Sequence, residues 1–176
     1  DFAKADIKKI GESIEEAVEL RNPYEKFGVG DRDSYKEIEF AVEFASPFYS
    51  KYYINGPPIK KSELEYGNRM FEPHGFQFLE VFIYGNDTSL TQQKYVTELV
   101  LLKDVLKQIK NKFKTFPLKD EVILEMIKLQ TVRIISLNIN GYDCALTKQN
   151  IKEASYSLSG IQKTLEIFTP YLKNKK

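Results

Sequence analysis

Apolar residues recur at three- and four-residue intervals along most of this chain, and prolines, glycines and asparagines break the recurrence at spacings that suit helices. Ile7, Ile10, Ile14, Ala17 and Leu20 line one face of a first predicted helix, whose other faces carry Lys8, Lys9, Glu12, Glu15, Glu16 and Glu19. Asn22-Pro23 ends it, because a residue before proline is pushed out of the α region. A second helix is predicted from Asp33-Ser34 as N-cap, with Ile38, Val42, Phe44 and Ala45 inward, a kink or division at Pro47 and a stop at Asn55-Gly56-Pro57-Pro58. Residues 56–72 read as a long polar loop containing Pro and Gly, with at most a short helical turn.

A third, strongly apolar helix follows Pro73 and ends at Gly85. Asp87, Thr88 or Ser89 then caps a long fourth helix carrying Leu90, Val96, Leu99, Leu102, Leu106, Ile109 and Phe113. Pro117 marks the next break. The fifth helix is predicted over about 118–140, with Val122, Met126, Leu129, Val132 or Ile134, and Leu137 inward, and Gly141 closing it. The sixth starts near Thr147 and turns Ile151, Ala154, Leu158, Ile161, Leu165 and Phe168 inward until Pro170. No strand pattern stands out. The expectation is one all-α domain over residues 1–176, an up-and-down helical bundle with a long Pro/Gly-containing loop before the third helix.

Composition changes this picture little. Of 176 residues, 42% are hydrophobic and 29% charged, as in ordinary globular domains, and the net charge of +1 offers no field for nucleic acid. No run of about 18 apolar residues is present, so no membrane span is expected. Cys144 is the single cysteine, which excludes an internal disulfide, a C-x-x-C-H haem attachment and a thiolate zinc site. The chain begins at Asp1 rather than Met, so it is expected to be processed or cut from a longer protein.

The third helix poses the chemical question. Its sequence GFQFLEVFIY places Gln77, Glu80 and Tyr84 on one stripe beside Phe76, Leu79 and Ile83. A helix this apolar lies among its neighbours, and a buried amide or carboxylate there needs partners. Arg32, Lys36 and Glu39 share one face of the second helix, and Arg133 sits in an apolar stretch of the fifth. A guanidinium can bond both oxygens of a carboxylate. The expectation is a buried polar cluster of Glu39, Gln77, Glu80 and Arg133, joined by Lys36. It serves either to fix helix registry or to hold a ligand or metal, as carboxylate-rich helical bundles do. No catalytic residue is assigned.

The run Gly75–Glu80 resembles the G-x-H-x-x-E signature of imelysin-like helical domains, which belong to iron-uptake and metallopeptidase families; Gln77 stands where that signature has His. RDSYKEIEFAVEF, INGPP, EPHGFQFLE, TVRIISLNINGYDCAL and IKEASYSLSGIQ, in this order over residues 32–165, resemble the N-terminal imelysin-like helical domain of Bacteroidetes-type di-haem cytochrome c peroxidases, where Gln is the usual form. This resemblance implies a non-catalytic domain in the periplasm or cell envelope. It also implies a C-terminal di-haem peroxidase domain in cis that carries the haem, and a small electron-donor protein as partner. The imelysin-like alternative implies an iron- or metal-binding domain of an iron-uptake system.

Three single features round off the reading. His74, the lone histidine, is expected to cap a helix or sit at the surface. Cys144 is expected to be a small buried filler, and Asp143 a turn or cap residue. Tyr49, Tyr52 and Tyr53 are expected to pack in the core and at its rim.

Overall fold

A computed structural model describes residues 29–85, 91–116, 119–144 and 146–173. The first predicted helix and the Asp87–Ser89 cap lie outside these residues. The described chain is mostly helical. Its main helices are α1 (Val29–Ala45), α2 (Phe76–Tyr84), α3 (Gln92–Phe113), α4 (Asp120–Arg133) and α5 (Asn150–Lys173). Among the described residues, no helix is long and apolar enough to cross a membrane.

Helix α1 is the hub. It packs most extensively along α5 and also touches α4 and α3. Its Tyr35, Ile38, Phe40, Ala41, Val42 and Ala45 join Phe76 and Leu79 of α2, Leu99, Leu102, Val105, Leu106, Ile109 and Phe113 of α3, and Ile123 and Met126 of α4 in one core. Each Val, Leu, Ile, Phe or Met among them, fully buried, contributes about 1.5–3 kcal/mol. The helix begins four residues before the expected cap. Asp33 thus lies inside the helix rather than at its cap, and its carboxylate accepts from Lys152 Nζ of α5 at 2.6 Å.

Pro47 divides the second predicted helix. The last α bond runs from Ser46 N–H to Val42 at 2.9 Å, and Pro47 opens a new turn, Pro47–Tyr49, that continues as a π-turn, Ser50–Ile54. The polar excursion then departs from expectation. Lys61–Glu63 (β1) pairs antiparallel with Arg69–Phe71 (β2), in register Lys61↔Phe71 and Glu63↔Arg69, around a 3-10 turn at Leu64–Tyr66. The hairpin's anchor is aromatic. Phe71 stacks on Tyr52 at 4.0 Å between centroids, and Phe48 contacts the rings of Tyr49, Tyr52, Tyr53, Tyr66 and Phe71. Aromatic partners outside the strands, invisible to strand periodicity, hold so short a ladder.

The start of α2 is fixed by Glu98 of α3. Its carboxylate accepts from the Gly75 N–H at 2.6 Å and meets His74 Nδ1 at 3.0 Å, while the His74 ring stacks on Tyr53. Gly75 has φ +86°, and a Cβ there would strike the Ile54 carbonyl, so only glycine fits. The cap of α3 is Thr91, whose hydroxyl accepts from the Lys94 N–H.

The inward faces of α4 and α5 meet expectation only in part: Met126, Ile134, Ala154 and Ile161 are buried as expected. Leu129 (46% exposed) and Val132 (60%) face outward on α4, and Ile151 (66%) and Leu158 do so on α5. The residues turned inward are Ile123, Met126 and Gln130 on α4, then Ile134 and Asn138 in the π-turn Ile134–Asn138 that follows it. On α5 they are Glu153, Ala154, Ser157 and Ile161, with Gly160 among them. The reason is the face of α1 that they meet, which presents charge and backbone rather than a smooth apolar stripe. The α1–α5 approach is so close that a Cβ on Gly160 would collide with the Glu37 carbonyl. The side chain of Phe168, expected inward, lies outside the described residues.

Gly160→Leu should therefore push α5 off α1 and lower unfolding free energy by at least about 1–3 kcal/mol. Leu158→Ala, two residues away on the exposed face, should stay within about 0.5 kcal/mol. Urea denaturation followed by circular dichroism measures both.

Candidate functional site

The contact surface of α1 with α4, α5 and the loop between them holds a buried ionic network. Its centre is Lys36, whose side chain is 0% exposed. The ammonium lies 2.9 Å from Glu39 Oε1, 3.2 Å from Asp143 Oδ2 and 3.6 Å from Glu153 Oε2. One turn earlier on α1, Arg32 spans three elements. Its Nη1 donates to Glu80 Oε1 of α2, its Nη2 donates to the Asp143 carbonyl, and its Nε lies 3.0 Å from Glu153 Oε1 of α5. One turn later, Glu39 accepts from Asn55 Nδ2 at 2.9 Å and Gln130 Nε2 at 3.1 Å, with Arg133 Nη2 at 3.5 Å. The spacing Arg32, Lys36, Glu39, Glu43 keeps all four on one α1 stripe.

Glu43 ends the row. Its Oε1 accepts from Ser50 Oγ at 2.7 Å and Asn55 Nδ2 at 3.1 Å, and Arg133 Nη2 lies 2.9 Å away. Thus three cationic groups (Arg32, Lys36, Arg133) meet five carboxyl groups (Glu39, Glu43, Glu80, Asp143, Glu153).

The surplus of acid is reflected in how the groups hold their protons. Burial raises the pKa of Glu39, but the charges of Lys36 and Arg133 and the hydrogen bonds from Lys36 and Gln130 outweigh it and bring the carboxyl down to about 2. Glu43 and Glu153 go the other way, because burial dominates over their cationic neighbours and pushes both above the ordinary value of 4.5. Burial works against the Lys36 charge, yet Glu39, Asp143 and Glu153 together hold its pKa above the usual 10.5.

Of the predicted cluster, the fold brings Lys36, Glu39 and Arg133 together. Glu80 reaches the network through Arg32 rather than Arg133, since α2 lies toward the N-terminal half of α1 and Arg133 toward its C-terminal half. Gln77 stands aside from the ions, with only a 3.5 Å contact from its amide to the Asn55 carbonyl. Arg133 keeps 24% of its side chain exposed. Sequence reasoning missed Glu43, Asn55, Gln130 and Glu153, and took Asp143 for a turn residue. A signal for two of them was present. Gln130 and Glu153 fall at helical spacing from the buried Met126 and Ser157, so each was a polar residue on an inward stripe. Cys144 beside Asp143 is buried and free, its thiol pushed up by that burial.

Two cavities adjoin the network. One of about 20 Å³ is lined by Arg32, Glu80, Ile83, Tyr84, Thr147, Gln149 and Glu153 and has room for one water. Thr147 Oγ1, Gln149 Oε1 and Glu153 Oε2 have no hydrogen-bond partner in the protein. The other, about 210 Å³, opens between α1 and α4. Among the described residues, no group of three or more His, Cys, Asp or Glu side chains is arranged to hold a metal ion. Comparison with family models, curated proteins and solved structures finds no match for this chain.

Lys36→Met should cost about 3–5 kcal/mol, since it leaves three carboxyl groups around an uncompensated buried centre. Arg133→Ala should cost less, because its guanidinium is partly solvated; denaturant titration of both variants checks the order. The titrations also fix a pH profile. Glu39, lowered on folding, contributes stability above 4.5 that is lost as pH falls toward about 2. Glu43 and Glu153, raised on folding, contribute stability below 4.5 that is lost as pH rises through their folded pKa values. Melting temperature should therefore peak at mildly acidic pH, and Glu43→Gln should flatten the fall on the alkaline side, as read by calorimetry.

Proposed function

We propose that this chain is a non-catalytic helical domain of a larger di-haem cytochrome c peroxidase of the cell envelope, with the haem carried by a C-terminal domain in cis. The domain acts through its shape, as a rigid body that docks on, anchors or shields the haem domain. The observation that carries this reading is the neutralisation of Glu80. Its carboxylate occupies the acidic position of the imelysin-like signature, and Arg32 takes it up as a donor from α1. Glu39 is likewise bound by Lys36 and faced by Arg133. Carboxylates answered by cations on other helices lock the register of α1, α2, α4 and α5, which is what a rigid docking body needs. The order of the five sequence stretches over residues 32–165 supports the peroxidase assignment.

The alternative, an imelysin-like domain that binds iron or another divalent metal, would require the ion to displace Arg32 or Lys36 from carboxylates they already satisfy. One preparation separates the two readings. The full-length protein should show covalently bound haem in its visible spectrum and peroxide-dependent oxidation of a reduced electron-donor protein. Removal of residues 1–176 should leave the haem spectrum in place and weaken donor turnover or envelope attachment. A full-length protein without haem would refute the assignment. Stoichiometric iron in the purified 176-residue domain, lost in Glu80→Ala, would favour the alternative.

A further inference from the structure

The hairpin gathers apolar side chains that the fold leaves open to water. Leu64, in its turn, is 82% exposed, and Ile59, Met70 and Tyr66 are exposed as well. The segment that carries them is nevertheless held firmly. Phe71 is buried on Tyr52, and the Tyr66 ring sits edge-on to Phe48, Tyr52 and Phe71. The result is a stiff apolar knob, and exposed apolar surface gathered in this way marks a contact site.

Charge narrows the partner. Glu63 lies 3.2 Å from Lys51 Nζ and 2.7 Å from Lys61 Nζ, Lys60 pairs with Glu72 at 2.8 Å, and the Arg69 guanidinium lies over the Phe71 ring. These charges are answered within the hairpin and its approach, which leaves little cationic field for anionic lipid or nucleic acid. Glu65 also stands between Leu64 and Tyr66 in the turn, where hydrocarbon would disfavour a carboxylate. A protein surface, with its mixture of apolar and polar groups, fits this knob better than a bilayer.

The direction of α5 points to which protein. It runs parallel to α1, since Asp33 pairs with Lys152 and, one turn on, Glu37 pairs with Lys163, each at 2.6 Å. Gly160 lies against the Glu37 backbone. From that level α5 continues for about 20 Å to Lys173, while α1 has about 12 Å left before it ends at Ala45. The C-terminal end of α5 therefore lies at the end of the bundle where Pro47 begins the segment that carries the aromatic cluster and the hairpin. The exposed Ile139 and Ile151 lie at the opposite end, where α5 starts and Asn150 Nδ2 donates to the Ile139 carbonyl at 2.9 Å.

We propose that the knob of Ile59, Leu64, Tyr66 and Met70 is the seat on which the domain following α5 docks through an apolar patch of its own, an assignment that rests on the cis arrangement proposed above but not on the haem.

Hydrogen exchange read by mass spectrometry, in the full-length protein and in the 176-residue chain, provides the test. The amides of residues 59–71 should exchange at least about tenfold more slowly in the full-length protein, and those of 135–151 equally in both. Leu64→Asp with Met70→Asp should return the hairpin to the exchange of the 176-residue chain. In that chain the same pair should leave melting temperature within about 2 °C, because both side chains are exposed. Ile139→Asp with Ile151→Asp should leave the protection of the hairpin intact. A hairpin equally open in both proteins, protection of 135–151 in its place, or protection that survives Leu64→Asp with Met70→Asp would overturn the proposal. So would a full-length chain that ends at α5, or sedimentation of the 176-residue chain with phosphatidylcholine–phosphatidylglycerol vesicles that Leu64→Asp abolishes. A protected hairpin beneath a domain without haem refutes the peroxidase assignment alone, whereas haem beside an open hairpin overturns the docking alone.

Discussion

A lysine ammonium sealed from water governs this fold. Burying the Lys36 charge costs several kcal/mol, and only carboxylates at close range in a dry interior can offset that. Glu39 comes from the same helix, but Asp143 and Glu153 come from more than a hundred residues away. The chain must therefore deliver the loop after α4 and the first turns of α5 onto α1. The glycine-tight approach of α5, the polar inward stripe of α4 and the outward leucines and valines all follow from satisfying that one cation and its neighbour Arg32.

This explains which parts of the fold were legible beforehand. The helices of the apolar core, α2 and α3 above all, read cleanly because burying hydrocarbon imposes a period. Leu99, Leu102, Leu106, Ile109 and Phe113 are all buried as that period requires. For α4 and α5 the same rule placed Met126, Ile134, Ala154 and Ile161 inward correctly but also turned Leu129, Ile151 and Leu158 inward, since hydrophobicity ranks Leu129 above Gln130 and Ile151 above Glu153. An ionic interface inverts that ranking, and nothing local announces it. The hairpin escaped for a related reason, because Phe71 owes its place to Tyr52 and Phe48 rather than to an alternating pattern.

The polar cluster was legible in kind but only partly in membership. An amide and an acid in the apolar α2 signalled buried polar partners, and the stripe of Arg32, Lys36 and Glu39 on α1 supplied them. Which cation met which acid depended on where along α1 each neighbouring helix crosses. Arg32 is therefore the partner of Glu80, and Arg133 that of Glu39 and Glu43. Crossing positions are set by close packing at Gly160 and by the caps at Gly75 and Thr91, details that a single sequence does not rank.

The long span of these ion pairs also bears on how the molecule assembles. Arg32 and the Asp143 carbonyl are 111 positions apart, and closing so long a loop costs conformational entropy before any contact rewards it. Helical turns and the aromatic hairpin can form early from near neighbours, whereas the charges on α1 stay hydrated until α5 arrives. A half-built chain that collapsed α1 against hydrocarbon alone would strand those ions, so premature compaction is penalised.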